Sequence, residues 1–543
     1  MPPPAARRTA FGIFALLFAS YAWFHQGGGW NQNVRFAQVE ALVERGTFAI
    51  DDHLLYTLEV DRDGIARYRR IPLSDGAARS TRLPQTLSFD VSEHAGHLYP
   101  NKPPGLPLLA LPGNLAARAV ARTLGLDPDH WWALSLELYL TTLLSVGLLA
   151  AVGGVVFHDV ARRLFPQAAP RSVIAASLTY GLGTPIFAFA TYLIDPAVVA
   201  TFSLLALRAL LQAREQEGAP RVRSLFAAGV FAGLGVMVNQ SAALTAVALG
   251  IYAVAVHPAR LQVLAYVAGG VGPALALGAY QWSCFGSPFD LPQDHQLDMF
   301  RTQAPLLGVF GVPRPALLLK LMVMPYRGLL FWSPVLAAGL AGLLLLFATR
   351  GRRPEAALFT AIFIAFWLMN ASFNAWHGGS TFAPRYLVPA VPFVALPLVL
   401  AFERARLVTG AVAAVSVALA LLVTAVDPQV GAAETRPLTG FYLPLLRGAP
   451  IESQGYLLRG PVSVHPTGVV ADGLEGVSGA TRTARFSAFN LGELAAPESL
   501  ASLAPLVLAI GAGALALERS GRADRRGPQA AADAAQRADG GGR

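Results

Sequence analysis

Twelve apolar runs punctuate the chain, near residues 9–25, 131–157, 172–191, 196–213, 225–238, 241–256, 262–283, 329–349, 356–372, 386–402, 407–426 and 501–517. Most approach the roughly 20 residues that an α-helix needs to cross a bilayer. Backbone polar groups in lipid are satisfied only inside helices or closed barrels. The pattern therefore predicts an all-α polytopic membrane protein with about 12 transmembrane helices. The runs at 225–238 and 241–256 are short and meet at Asn239-Gln240, so a shallow hairpin is an alternative to two crossings there.

Two long stretches, 26–130 and 428–500, interrupt the runs. In the first, Val34, Ala37, Val39, Ala41, Leu42 and Val43 fall at helical spacing and predict an amphipathic surface helix over 33–45. Residues 54–60 and 65–72 alternate and predict a hairpin around Asp61-Arg62-Asp63-Gly64. Residues 104–123 are apolar, with prolines and glycines near their start, and read as a helix lying at the membrane interface. Together these make a small mixed α/β extracytoplasmic loop layer. The organisation that follows is a membrane module over 1–427 that includes the loop 26–130, a second loop at 428–500, a last span at 501–517 and a tail at 518–543. That tail is rich in Arg, Ala, Asp and Gly, cannot bury a core, and is expected to be disordered in the cytoplasm.

Composition narrows the class. Of 543 residues, 54% are hydrophobic and 14% charged, against about 25% charged in an ordinary soluble domain. A disordered chain and an ordinary cytosolic enzyme are excluded. The formal charge of +9 would point to nucleic acid in a soluble protein. Here the excess is arginine placed between apolar runs. With a cytoplasmic N-terminus, the inside connections hold fourteen arginines, among them Arg7, Arg8, Arg162, Arg163, Arg404 and Arg406. The outside connections, long loops apart, hold Arg301, Arg314, Lys320, Arg327 and Arg385. This bias places both termini in the cytoplasm and both long loops outside. Arg7 and Arg8 ahead of Phe11–Phe24 also resemble a signal peptide, but no A-x-A site follows directly, so a retained first span is expected and a cleaved signal is the alternative. The single cysteine, Cys284, reads as a buried thiol, and no intrachain disulfide can form.

Five polar clusters fall on the outer side of this topology: Trp30-Asn31-Gln32-Asn33-Val34-Arg35-Phe36, His97 to Gly105, Tyr192 to Pro196, Met324 to Gly328, and Asn374 to Tyr386. Their convergence points to one external site. Their order resembles the GT-C glycosyltransferases that use polyprenyl-phosphate sugars, such as the aminoarabinose transferases and protein O-mannosyltransferases. The resemblance runs over about residues 9–402 and rests on Asn31-Gln32-Asn33-Val34-Arg35-Phe36, Tyr99-Pro100-Asn101-Lys102-Pro103-Pro104-Gly105, Pro325-Tyr326-Arg327-Gly328 and Pro384-Arg385-Tyr386. A weaker similarity lies around Asn490-Leu491-Gly492-Glu493.

The resemblance implies an integral membrane glycosyltransferase of a bacterial inner membrane. It would move a sugar from a polyprenyl-phosphate carrier to an extracytoplasmic lipid, glycan or protein, usually with inversion. Lys102 stands where the family places a phosphate-contacting lysine. Arg327 and Arg385 are further phosphate candidates, because a guanidinium grips phosphate with two parallel bonds. The alternative for all three is contact with lipid headgroups. Asn33, Tyr99, Tyr326 and Trp376 are the expected substrate contacts. The resemblance requires no divalent metal. His94 and His97 with Glu93 come nearest to a ligand set and fall short of one.

On the acid side the chain departs from the pattern. The family carries a carboxylate at or beside Asn31, where this chain has Asn31-Gln32-Asn33. An amide orients a hydroxyl but does not take its proton. Asp51 and Asp52 are candidate substitutes, with a turn or cap role as the alternative. Asp195 interrupts an apolar stretch and is the second acidic candidate, the alternative being a helix N-cap ahead of Pro196. His377, in a Trp-His-Gly-Gly turn, is a candidate for sugar hydroxyls or proton transfer, or a plain loop histidine. Two other classes stay open at this point: a lipid or sugar transporter or flippase, and a catalytically impaired GT-C homologue that binds lipid-linked sugar.

Overall fold

The computed structural model describes residues 4–27, 29–54, 56–60, 66–70, 88–300, 304, 308–449, 451–452, 481–482, 489–497 and 499–519. The polar tail beyond 519, the predicted turn at Asp61–Gly64 and most of 450–488 lie outside the described residues.

Helices dominate, as the apolar runs require. Among the described residues, seven are long and apolar enough to cross a membrane: Ala133–Leu164, Pro196–Arg214, Gly218–Val238, Arg260–Phe285, Arg353–Ser372, Arg406–Val426 and Leu500–Arg519. An eighth forms if Arg385–Ala395 and Leu398–Arg404, bent by 49° at Leu396-Pro397, count as one span. The chain is thus a multi-pass membrane protein. Four predicted runs come out shorter or more polar. Pro4–Ala22 (α1) carries Arg7 and Arg8. The run 172–191 divides into Pro170–Leu182 and Ile186–Phe189 around Gly183-Thr184-Pro185. Gln240–Val256 and Val335–Ala348 are shorter apolar helices. Gly218–Val238 has the length to cross by itself, so at Asn239-Gln240, where a shallow hairpin is the alternative to two crossings, one full-length helix meets one short one.

Helices Gly218–Val238 and Arg260–Phe285 touch backbone to backbone. A Cβ on Gly229 would stand 1.9 Å from the Tyr266 carbonyl, and one on Gly269 would stand 2.0 Å from the Phe226 carbonyl. Small residues permit this approach where apolar burial gives lipid-embedded helices little drive to associate. Pro196–Arg214 is the most enclosed of the long helices and runs through the centre of the bundle. At one set of helix ends Asp159 pairs with Arg208 (2.7 Å) and Arg163 (3.1 Å), and Glu355 pairs with Arg214.

Short strands and two helices build the loop layer. Phe24–His25 (β1), at the end of α1, pairs antiparallel with Phe489–Asn490. The Asn490 motif therefore has a structural office: its side chain meets Glu493 (2.9 Å) and Ser502 (3.1 Å) and seats the last helix. Trp30–Arg45 (α2) follows and ends at Gly46, whose positive φ closes the helix. It is buried almost from end to end along 31–41 and is not the surface helix that its apolar spacing predicts. Its polar residues are enclosed because they find partners there. Tyr56–Val60 (β2) and Ala66–Arg70 (β3) form the expected hairpin. A second hairpin, Val91–His94 (β4) with His97–Pro100 (β5), turns at Ala95-Gly96, both at positive φ, as a two-residue primed turn requires. Gly105–Thr123 (α3) follows it, with Leu115 and Val120 exposed and Asn114 buried.

Candidate active site

Helix α2 organises the site. Asn31 and Arg35 lie one turn apart and share a face. Each reaches a carboxylate from elsewhere in the chain. Arg35 Nη2 donates to Asp195 Oδ1 at 2.6 Å, with side-chain exposures of 1% and 9%. Asp195 is the N-cap of Pro196–Arg214 and carries Pro196 at the next position. Its other oxygen accepts from Asn239 Nδ2. Asn239 is aimed there by its own Oδ1, which accepts from the Ser241 backbone N–H (2.9 Å) and Oγ (2.8 Å). Burial would raise the Asp195 pKa. Arg35, Asn239 and Arg385 outweigh it and hold the carboxyl below its ordinary range. Asp195 is an ionised anchor with both oxygens engaged.

Four residues back, Asn31 Nδ2 donates to Asp90 Oδ2 at 3.4 Å. Asp90 arrives through the β4–β5 hairpin. Val91 pairs with Pro100, and one step further Asn101 N–H donates to the Asp90 carbonyl at 3.0 Å. Lys102 comes next, its Nζ 3.9 Å from Asp90 Oδ2 and 2.7 Å from Asn101 Oδ1. Burial holds the Lys102 pKa below its ordinary value; Arg385 and Arg35 add to this against the attraction of Asp90 and Asp195.

Arg385 faces the same group. Its Nη2 donates to Tyr386 Oη at 3.0 Å, and its charge lies over the Tyr386 ring. Arg35, Lys102 and Arg385 thus share electrostatic reach with Asp90 and Asp195. The three cations outnumber the two carboxylates. Arg35 Nε and Nη1 and Arg385 Nε are buried without a protein acceptor. Such donors fit a multi-oxygen anion.

The remaining predicted residues are placed as follows. Arg327 is fully buried and donates to the carbonyls of Tyr326, His377, Gly379, Val430 and Gly431 at 2.9–3.5 Å. Burial lowers its pKa to about 10. Its donors are spent on backbone. Tyr326 bonds the Ala432 carbonyl (2.6 Å) and packs edge-on against Trp376. His377 Nδ1 accepts from Gly379 N–H at 3.0 Å, and burial with Arg327 and Arg385 nearby lowers its pKa. Asn33 is buried in α2. Tyr99 packs on Phe285, in a cluster with Tyr280 and Cys284. Asp51 accepts from Leu98 N–H and His97 Nδ1, both at 2.8 Å, and Asp52 pairs with Arg45. Both are occupied in fastening the loop. Among the described residues no three His, Cys, Asp or Glu side chains form a group that could hold a metal ion.

Sequence reasoning did not assign Arg35, Asp90 or Asn239. Arg35 carries a legible signal, an arginine one helical turn after Asn31. Asn239 is an amide interrupting apolar sequence. Asp90 has no local signal, because hairpin closure alone brings it to Lys102.

No family model matches the chain, and no curated protein matches it. Solved structures do. ArnT from Cupriavidus metallidurans bound to undecaprenyl phosphate is similar over 76% of this chain and 62% of its own, with a TM-score of 0.44 and 16% identity. The oligosaccharyltransferase AglB from Archaeoglobus fulgidus, in complex with an inhibitory peptide and a dolichol-phosphate, is similar over 80% of this chain and 57% of its own, with a TM-score of 0.40 and 13% identity. The chain spans less than two thirds of the length of each. At these scores the likeness is distant, and the functional reading rests on the side chains above.

Proposed function

We propose that the chain is a membrane glycosyltransferase that moves a sugar from a polyprenyl-phosphate carrier to an extracytoplasmic acceptor. The observation that carries this reading is the cluster of buried Arg35 with half-buried Lys102 and Arg385, whose charge exceeds that of Asp90 and Asp195 and whose guanidinium donors are not all used. In the reaction the acceptor bonds to the anomeric carbon, and the carbon–oxygen bond to the phosphate breaks. The electron pair leaves with the polyprenyl phosphate, which gains a negative charge. Cations fixed beforehand in a poorly solvated place stabilise that charge without reorganising. Lys102, Arg385 and the free edge of Arg35 take this role. Asp195 holds Arg35 in position. Arg327 fastens the 377–379 and 430–431 segments behind the cluster. His377 and the adjoining Trp376, with Tyr326 packed edge-on against Trp376, are the sugar-facing candidates. Pro4–Ala22, the divided run at 170–189 and the shorter helices Gln240–Val256 and Val335–Ala348 complete a twelve-span topology, with both termini cytoplasmic and the cluster on the outer side.

The test is native mass spectrometry of the purified protein with its copurifying lipids, repeated for Lys102→Ala and Arg385→Ala. A bound polyprenyl phosphate, depleted in both variants, is the expected result. Bulk phospholipid alone in all three samples would overturn the reading and favour transport.

A further inference from the structure

We infer that Asp90 is the carboxylate that takes the acceptor's proton, in place of the acid absent from Asn31-Gln32-Asn33. The inference rests on the transferase reading and deepens it. Among the described residues, two carboxylates, Asp90 and Asp195, stand out as acting on both Lys102 and Arg385. Asp195 has spent both oxygens, on Arg35 and Asn239, and lies buried. Asp90 is built differently. Its Oδ2 is held by Asn31 and faces Lys102, while no hydrogen bond among the described residues ends on its Oδ1. Its side chain remains 15% exposed. One oxygen is fixed and the other is open, which is the arrangement a general base needs.

The backbone around Asp90 is equally fixed. Ser88 Oγ donates to the Trp30 carbonyl at 2.7 Å and accepts from the Asp90 N–H at 2.9 Å. On the other side the Asp90 carbonyl is tied to Asn101. The carboxylate is thereby clamped between the first turn of α2 and the strand leading to Lys102. Beside it stand Trp30 and Phe89, each 36% exposed, with ring centroids 5.1 Å apart and edge to face. Two half-exposed aromatic rings against a carboxylate suit the apolar face and the hydroxyl of a sugar-like or glycolipid acceptor. In the step, the acceptor O–H proton passes to Asp90 Oδ1 as the oxygen bonds to the anomeric carbon. The polyprenyl phosphate departs with the electron pair of the broken bond toward Lys102 and Arg385. Asp90 ends protonated and returns the proton to water.

The test compares envelope glycoconjugates, by mass spectrometry, from a strain lacking the gene and complemented with each variant. Copurified polyprenyl phosphate is measured on every purified variant. Asp90→Asn is expected to lower the product by about 10²-fold or more while polyprenyl phosphate stays bound. The exchange Asn31→Asp with Asp90→Asn moves the carboxylate across one hydrogen bond and is expected to recover product, which a purely structural aspartate would not do. Product from Asp90→Asn within about threefold of the unaltered protein would overturn the assignment and leave the transferase reading standing. If deletion of the gene removes no glycoconjugate and no polyprenyl phosphate copurifies, the transferase reading falls and the inference falls with it.

Discussion

The Arg35–Asp195 pair gives the sharpest test of how this site is held. Its atoms approach to 2.6 Å with almost no water contact, and Arg35 has no other protein acceptor among the described residues. Asp195→Ala leaves a guanidinium buried without its counter-charge. Breaking a buried pair from one side costs about 3–5 kcal/mol. Asp195→Asn keeps an acceptor oxygen and loses the charge, so about 1.5–3 kcal/mol is expected. Arg35→Met with Asp195→Leu removes both charges and should cost far less than the two single changes together. The assay is equilibrium unfolding in mixed micelles titrated with dodecyl sulfate, run as a double-mutant cycle.

The pH dependence follows from the sign of the shift. The folded pKa of Asp195 is depressed, so its stabilisation is present above the unfolded value of about 3.9. It is lost as pH falls through the lower folded value. The gap between the unaltered protein and Asp195→Asn should therefore stay constant through neutral pH and close only in strong acid. A cost below about 1 kcal/mol for Asp195→Ala, the level of an exposed pair, would refute the burial argument. So would a gap that closes already near pH 6.

Three further outcomes are expected. Arg327→Lys offers three donors to five carbonyls and loses about 1–3 kcal/mol for each buried carbonyl left unpaired; the same unfolding assay should show it, with polyprenyl phosphate still bound to the folded fraction. His377 accepts from Gly379 only when its Nδ1 is unprotonated, and its folded pKa is depressed. Its contribution is therefore complete above the unfolded value of about 6.5 and lost as pH falls below it, and His377→Gln should flatten the unfolding midpoint between pH 7.5 and 5. Gly105→Ala would put a Cβ 2.4–2.6 Å from the Met237–Val238 backbone. The overpacking should cost at least about 1–3 kcal/mol and, by shifting the segment that carries Lys102, deplete copurified polyprenyl phosphate.

Sequence periodicity read the membrane class, the hairpin at Tyr56–Val60 and Ala66–Arg70, and a helix close to Trp30–Arg45, because each is a local pattern. It misjudged the setting of that helix. Apolar spacing marks the face that finds a core, but it does not say whether the polar face meets water or partners. In α2 the polar face meets Asp90 and Asp195, so Arg35 is as buried as Val34. Arg327 shows the same ambiguity from the other side. A guanidinium that serves five carbonyls and one that keeps a donor unpaired look alike in sequence, and the geometry of acceptors separates them. Arg385 keeps a buried Nε without a partner, and Arg327 keeps none. Asp90 was illegible for a further reason. Its relation to Lys102 is set by the strand register on either side of Ala95-Gly96, a turn without the usual Asn-Gly signal, and its relation to Asn31 is set by Ser88. If Asp90 is the base, a missing acid in a motif is weak evidence of lost chemistry: a charge that must sit at one point in space can be delivered by any segment whose register ends there. Here the amide at Asn31 does not replace that charge but holds it.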